Sequence, residues 1–529
     1  MTDLCRADPE HVPARQHRPP ATAPVTPSST APVTATVQAG PRDAYWPRLL
    51  PVLTVLAVLT RLPSFLHPLW NPDEGFLATE ARMLAHGAVL YRTVVDRKPP
   101  VLPWLYELSF ALFSDRSLLP VKILAVLAQL LTAVLLASYA RRRWGDRAGR
   151  TAGVLHLLAS VALAPDDAQA AAFEVFMVPG TVAAVWCADR GRWGTAGLAV
   201  AAAALTKQTG AAVLAPVLLL LLRTAPRRAA AVTALAGGVL LPVAAVALAT
   251  GPARLLFWSV TGSGSYASAA GAVSLAVDRA LSGTGIFAAG CAGLLLPVCH
   301  LLVARRGAAP AELWLWLAAS AAAVATGFHF FGHYYLQLPP PLVLLATAAL
   351  ATAPGGRLLT GASLTLSALS CAFFLGWGLT DLPPDQPHTL TVVRAVRERT
   401  PPAGRVLLWG MHPEAYWLAD RPPAGRFLTA GLLTNYSGGR GPSHVGEAYG
   451  VPGAWPAFRR ELARRPPALI IDDSRGKPYG PSRLPSLRAV LDRSYERVGT
   501  ADGAILYAPV SCRPTGAPRA VPSPPRPAP

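Results

Sequence analysis

The sequence predicts a polytopic α-helical membrane protein of about 11 spans, with a long first outer loop and a small C-terminal extracytoplasmic α/β domain. Three observations predict it. Of 529 residues, 52% are hydrophobic and only 15% charged, and the mean hydropathy is +0.35, a composition that soluble domains do not have. Apolar runs recur from Trp46 to about Thr380, most of them long enough for the roughly 17–25 residues a helix needs to cross a bilayer. Arginines then cluster in alternate connections between those runs, which sets the orientation. The net charge of +19 is accounted for largely by those connections, so nucleic acid is not expected as a partner. Proline and glycine are abundant, yet both are tolerated in membrane helices and gather in loops.

Taken in order, residues 1–44 are rich in Pro, Thr, Ala and Val and read as a disordered cytoplasmic leader. Residues 45–380 form the transmembrane domain, with apolar runs centred near 57, 128, 157, 181, 200, 216, 239, 295, 320, 344 and 368. With the leader inside, Arg141, Arg142, Arg143, Arg147 and Arg150 fall on the inner side, and so do Arg190, Arg192, Arg223, Arg227, Arg228, Arg305, Arg306 and Arg357. Residues 381–512 read as the extracytoplasmic α/β domain: helix-like Leu390 to Glu398 precedes strand Arg405 to Trp409, helix-like Trp455 to Arg465 precedes strand Ala468 to Asp472, and Ile505 to Tyr507 is a further strand. The Pro-rich stretch 513–529 reads as a disordered tail. Cys5, Cys187, Cys291, Cys299, Cys371 and Cys512 show no disulfide or metal-ligand spacing, so neither a disulfide nor a divalent metal is expected.

The first outer loop, about 67–116, is far longer than a connection requires. It holds Asn71-Pro72-Asp73-Glu74-Gly75, an amphipathic helix-like stretch from Phe76 to His86, and Asp96-Arg97-Lys98-Pro99-Pro100. Asp73 and Glu74 are suited either to general-base chemistry or to the first turn of a helix, with Asp73 as its cap; Lys98, fixed before two prolines, suits a phosphate. The second outer loop carries Asp166, Asp167 and Glu174, and acids so near the membrane plane are costly unless paired or functional; an ion pair of Glu174 with Arg61 or Arg82 is the plain alternative. Lys207, the lone charge between two apolar runs, either snorkels to the headgroups or lines a polar cavity. His333 and Tyr334, inside an aromatic run, suit an interfacial belt or the same cavity. One topology, set by arginines alone, brings all of these residues to one side.

At these residues the chain resembles the GT-C class of integral-membrane glycosyltransferases, in particular the branch of protein O-mannosyltransferases and the lipid A aminoarabinose transferase. Matching features are Asp73-Glu74, Lys98-Pro99-Pro100 followed by Trp104, Glu174 in the acidic second loop, Thr206-Lys207, and His333 to Tyr335 before Pro339. The resemblance implies a polyprenyl-phosphate sugar as donor substrate, with no other cofactor. Its phosphate would be held by Lys98 and Lys207 with Arg61, His333 and Tyr334. Asp73 would be the general base of an inverting transfer, Glu74 its neighbour in the catalytic pair, and Glu174 or Asp167 a secondary acid. The acceptor would be a protein or a cell-wall glycan, and the Ala-, Arg- and Pro-rich usage places the enzyme in a bacterial plasma membrane. A secondary transporter, or a binder of lipid-linked sugar without turnover, would use the same charged residues, although no internal repeat marks a transporter.

Overall fold

The structure, a computed structural model, describes residues 45–510 apart from 264–270, 305–309, 353–355, 384 and 437–440. The expected leader, the tail from 513, and Arg305 and Arg306 therefore lie outside the described residues. The chain is predominantly helical. Its first part runs through α1 (Tyr45–Thr60), α2 (Pro72–Ala85), α3 (Val101–Leu112), α4 (Leu119–Trp144), α5 (Asp146–Ala159), α6 (Pro165–Ala168), α7 (Phe173–Ala188) and α8 (Trp193–Thr206). It continues through α9 (Leu214–Thr224), α10 (Arg228–Thr250), α11 (Pro252–Ser259), α12 (Val273–Gly290), α13 (Ala292–Ala304), α14 (Ala311–Ala325), α15 (Pro339–Thr352) and α16 (Gly356–Thr380).

Among the described residues α4, α10 and α16 are long and apolar enough to cross a membrane, and α12 with α13 makes a fourth span if that pair, bent by 87°, is counted as one. The chain is thus a multi-pass membrane protein. The other apolar helices have 10–17 residues, α1, α7, α8, α14 and α15 among them. Large apolar side chains stand exposed on the long helices, Leu241 at 73% on α10 and Leu358 at 85% on α16. Such exposure would be penalised in water and costs nothing against lipid chains. The helix ends follow local chemistry. Arg141, Arg142 and Arg143 close the last turn of α4, where cations oppose the negative end of the dipole, and Gly145 stops the helix at φ 88°. Helices α8 and α10 approach through glycine: a Cβ on Gly197 would meet the Leu235 carbonyl and stand 3.0 Å from Gly238 Cα.

The C-terminal part comprises α17 (Gln386–Arg399), β1 (Val406–Trp409), α18 (Glu414–Ala419), α19 (Gly431–Thr434), α20 (Ala454–Arg464), β2 (Leu469–Asp472), α21 (Pro485–Ser494), β3 (Tyr495–Ala501) and β4 (Ala504–Pro509). The strand order is β1-β2-β4-β3, with β1 and β2 parallel and the other pairs antiparallel. Every residue of β1 and β2 is buried, as a parallel pair covered on both faces requires. The open edge of β1 is closed by the segment at Pro422 to Ala424, which exchanges backbone hydrogen bonds with Val406. Helices and strands expected around 390–398, 405–409, 455–465, 468–472 and 505–507 are found close to those limits. β3 and α18 were not expected; β3 is an edge strand whose central residues are exposed or half-buried, so it lacks an apolar signature.

The long segment 67–116 packs on the C-terminal part. Its residues Leu84, Leu90, Tyr91, Val94 and Val95 share one apolar core with the C-terminal sheet. Gly75 of α2 lies so close to Glu414 that a Cβ there would meet the glutamate's own Cβ. Thr79 donates to the Pro413 carbonyl at 3.0 Å and Arg82 to that of Trp417 at 3.0 Å. The glycine contact between α8 and α10 makes a direct prediction: Gly197→Val should destabilise the protein by about 1–3 kcal/mol, the usual cost of overpacking, visible as a lower midpoint of thermal unfolding in detergent. Gly237→Val on the open side of α10, where a Cβ meets nothing within 4 Å, should leave that midpoint nearly unchanged.

Candidate active site

The loops around 67–116 and 164–174 converge at the start of α2. Asn71 caps that helix, its side-chain oxygen accepting the Glu74 amide at 2.9 Å, and Pro72 fills the first turn. The cap is therefore Asn71 and not Asp73, which leaves the Asp73 carboxylate without a capping duty. Asn71 also donates to the Asp166 carbonyl at 2.9 Å, so one side chain both starts α2 and fixes the second outer loop against it.

Asp73 faces two cationic groups. Its Oδ2 lies 3.0 Å from Lys98 Nζ and 3.6 Å from His333 Nε2. His333 is held from its other side by Asp167, whose Oδ1 receives the His333 backbone amide at 2.8 Å and stands 2.9 Å from Nδ1. Lys207 is buried and paired with Glu174, and its Nζ sits 3.8 Å from the centre of the Tyr334 ring. Lys98 likewise lies over the Phe173 ring at 4.1 Å, and Phe331 stacks on His333 with ring centres 5.7 Å apart. These contacts place Asp73, Lys98, Asp167, Glu174, Lys207, His333 and Tyr334 in a single charged cluster. Phe173 and Phe331 join it unforeseen, since an aromatic residue beside a lysine in space leaves no mark on sequence spacing.

The cluster's electrostatics follow from its pairings. Burial works to raise the Asp73 pKa, but Lys98, then His333, hold it well below the usual carboxylate range. Burial works against a charged His333, yet Glu174, Asp167 and Asp73 raise its pKa above the ordinary histidine value. Asp166 is pushed up to about 6 by burial and by its neighbour Asp167. Among the described residues of the cluster one buried side-chain atom lacks a hydrogen-bond partner: Glu174 gives one oxygen to Lys207, while its other oxygen, Oε2, accepts no hydrogen bond. An unsatisfied buried acceptor beside a charged pair is costly and suits a ligand's hydroxyl. Phe328 and Phe330, in the loop leading to His333, have φ of 59° and 46°, a left-handed conformation that bulky residues adopt only when their surroundings impose it.

Two expected site residues stand elsewhere. Arg61 is fully buried and donates to the Ala168 carbonyl and, at 3.3 Å, to that of Ala170, so it holds the second loop. Glu74 is buried too, and its carboxylate accepts the amides of Trp70 at 2.8 Å and Ala171 at 3.0 Å, so it positions the loops and does not face the cluster. Nor does Glu174 pair with Arg61 or Arg82; its partner is Lys207, and Arg82 pairs with Asp115 and Asp420. Among the described residues no group of three or more His, Cys, Asp or Glu side chains is arranged to hold a metal.

The fold is similar to that of a solved membrane protein, and part of the chain matches a family of glycosyltransferases. Residues 97–250 match the family described as Dolichyl-phosphate-mannose-protein mannosyltransferase. The whole chain is similar in structure to ArnT from Cupriavidus metallidurans bound to undecaprenyl phosphate, with a TM-score of 0.57 and 15% identity over 89% of this chain and 99% of that one. The apo form of the same protein gives a TM-score of 0.58 and 16% identity over 88% and 98%. No curated protein matches in sequence.

The Asp73 pairing has a consequence for stability. Because its pKa is lowered on folding, the pairing contributes stability above the unfolded value of about 3.9 and loses it as pH falls through the folded one. The thermal midpoint of the wild type should exceed that of Lys98→Met at neutral pH, and the gap should close in acid. A gap that stays constant down to about pH 2 would assign the lysine's effect to packing on Phe173 instead.

Proposed function

We propose that this protein transfers a sugar from a polyprenyl-phosphate donor to an acceptor hydroxyl at the outer face of a bacterial plasma membrane, with inversion at the anomeric carbon. The observation that carries the reading is the shared position of Asp73 between Lys98 and His333, next to the Lys207–Glu174 pair. The similarity to a protein crystallised with undecaprenyl phosphate supports a lipid phosphate as the group these cations receive.

In this reading the donor phosphate takes up Lys98 and Lys207, which neutralise its charge as the bond to the anomeric carbon breaks and the electron pair leaves with phosphate oxygen. No metal is required, since the lysines supply the positive charge. The acceptor oxygen forms the new bond to carbon from the opposite face and its proton passes to Asp73. A carboxylate held at so low a pKa is a weak base. Drawing Lys98 away to the phosphate raises the Asp73 pKa toward the range in which a base works, so donor binding itself activates the acid–base group. Glu174 Oε2 accepts a hydroxyl of the donor sugar, and Tyr334 orients Lys207. The apolar helices of 10–17 residues complete the proposed set of about 11 spans, and the C-terminal sheet lies on the outer side together with the acceptor, a protein or a cell-wall glycan.

Two experiments test this. In single-turnover release of polyprenyl phosphate from a sugar-labelled donor in nanodiscs, Asp73→Asn should slow transfer by roughly 10²–10⁴ while donor binding persists. Lys98→Ala and Lys207→Ala should weaken binding of the phosphate donor more than that of the neutral lipid alcohol. Near-normal turnover in Asp73→Asn would remove it from the chemistry. For sidedness, single cysteines at the exposed positions Ser114 and Arg147, in a background with the native cysteines replaced, should react differently in intact cells: an impermeant thiol reagent labels the first and spares the second. The reverse pattern would invert the topology.

A further inference from the structure

A second cavity, of about 880 Å³, lies between the C-terminal half of α2 and the C-terminal sheet and is separate from the cluster around Asp73. Its walls come from residues 79–93, 115–116, 402–426 and 461–465, and no apolar spanning helix contributes to it. Its charges do not balance. Arg82 is satisfied by Asp115 and Asp420, and Arg426 by Glu461, which uses all three acids in the lining. Arg421 bonds to Thr400 and to backbone carbonyls, and Arg405 only to the Pro423 carbonyl at 3.0 Å. Among the described residues no hydrogen bond or ion pair engages the guanidinium groups of Arg116, Arg464 or Arg465, all three exposed. Burial and the neighbouring Arg465 both depress the Arg405 pKa, the mark of like charges facing one another.

Guanidinium groups gathered without counter-charge in a concave site repel each other until an anion enters, and their planar forks match phosphate and carboxylate oxygens in pairs. We propose that this cavity binds an anionic glycan through its phosphate or carboxylate groups, and that it is an extended subsite for the acceptor. Helix α2 links it to the chemistry. Asp73 stands in the first turn of α2, and Arg82 to His86 stand at its end; a rise of 1.5 Å per residue sets the two sites roughly 14–20 Å apart. An acceptor chain held by its charged units at one end of the helix presents a hydroxyl at the other. Anion binding rests on the cavity alone, while the role as acceptor subsite rests on the catalytic reading given above.

The test is calorimetric titration of the full-length protein in neutral nanodiscs with an oligogalacturonate, a neutral maltooligosaccharide of equal length, and inorganic pyrophosphate. The oligogalacturonate should bind, with affinity falling as salt is raised, and the neutral glycan should not. Arg464→Gln/Arg465→Gln should weaken anion binding by about tenfold or more, as loss of charge-assisted contacts requires, without lowering the thermal midpoint, because like charges are removed. Arg483→Gln/Arg493→Gln, which lowers net charge equally at exposed sites elsewhere, should have little effect, and so should Asp73→Asn, so failure of the catalytic reading does not imitate failure of this one. Competition by pyrophosphate would identify phosphate as the recognised group; binding of the uronate without such competition would identify carboxylates. Equal binding of the neutral glycan, equal losses in the two double variants, binding of pyrophosphate but of no glycan in the presence of either charged group, or no binding of any probe would each overturn the proposal.

Discussion

Much of the outer architecture depends on one buried carboxylate. Glu74 accepts an amide from its own loop at Trp70 and one from the second outer loop at Ala171, and so joins two segments nearly a hundred residues apart. Arg61 supports the same second loop from the end of the first helix by donating to its carbonyls, and Tyr106 donates to the Ala171 carbonyl at 2.6 Å. Charge-assisted bonds of this kind, away from water, each contribute more than a neutral surface contact. They hold Asp73, one residue before Glu74, against Asp167 and His333, which belong to other parts of the chain. In the proposed mechanism Asp73 would thus depend on the rigidity of its neighbour, the scaffold role of Glu74 being the one its hydrogen bonds give it.

The charged cluster sets cations against acids. Lys98 pairs with Asp73, Lys207 with Glu174, and His333 stands between Asp73 and Asp167, and such pairing offsets the desolvation that buried charges would otherwise suffer. Breaking a buried pair such as Lys207–Glu174 leaves an uncompensated charge, so in the proposed mechanism an incoming phosphate would replace carboxylate contacts as it arrives. The aromatic faces of Phe173 and Tyr334 keep the two ammonium groups attracted during such an exchange.

Much of this was legible in the sequence because it is carried by strong, local signals. Apolar runs give helices, and isolated charges such as Lys207 stand out against an apolar background. The sheet's central strands were legible for the same reason, as short apolar runs after helical periodicity. What was not legible depends on tertiary distance. Asp73 and Glu74 are equivalent by composition, and only the fold gives one to the cluster and the other to backbone amides. Asn71 as cap competes with Asp73 on propensity alone, since either residue serves. Arg61 resembles a phosphate ligand until the carbonyls of Ala168 and Ala170 are seen beside it. The span count is the least legible feature, because several apolar helices fall short of the length that crosses a bilayer unaided.

The shared core between the first outer loop and the C-terminal sheet bears on modularity. Leu84, Leu90, Tyr91, Val94 and Val95 complete a core whose remaining members, apart from Trp258, run from Val392 to Leu506. The unit that would have to be exchanged in a chimera is therefore discontinuous. A graft beginning at residue 381 would sever the sheet from the side chains that cover it, whereas transplanting 72–97 together with the C-terminal part would move the sheet, its cover and the acid at the head of α2 as one inheritable block.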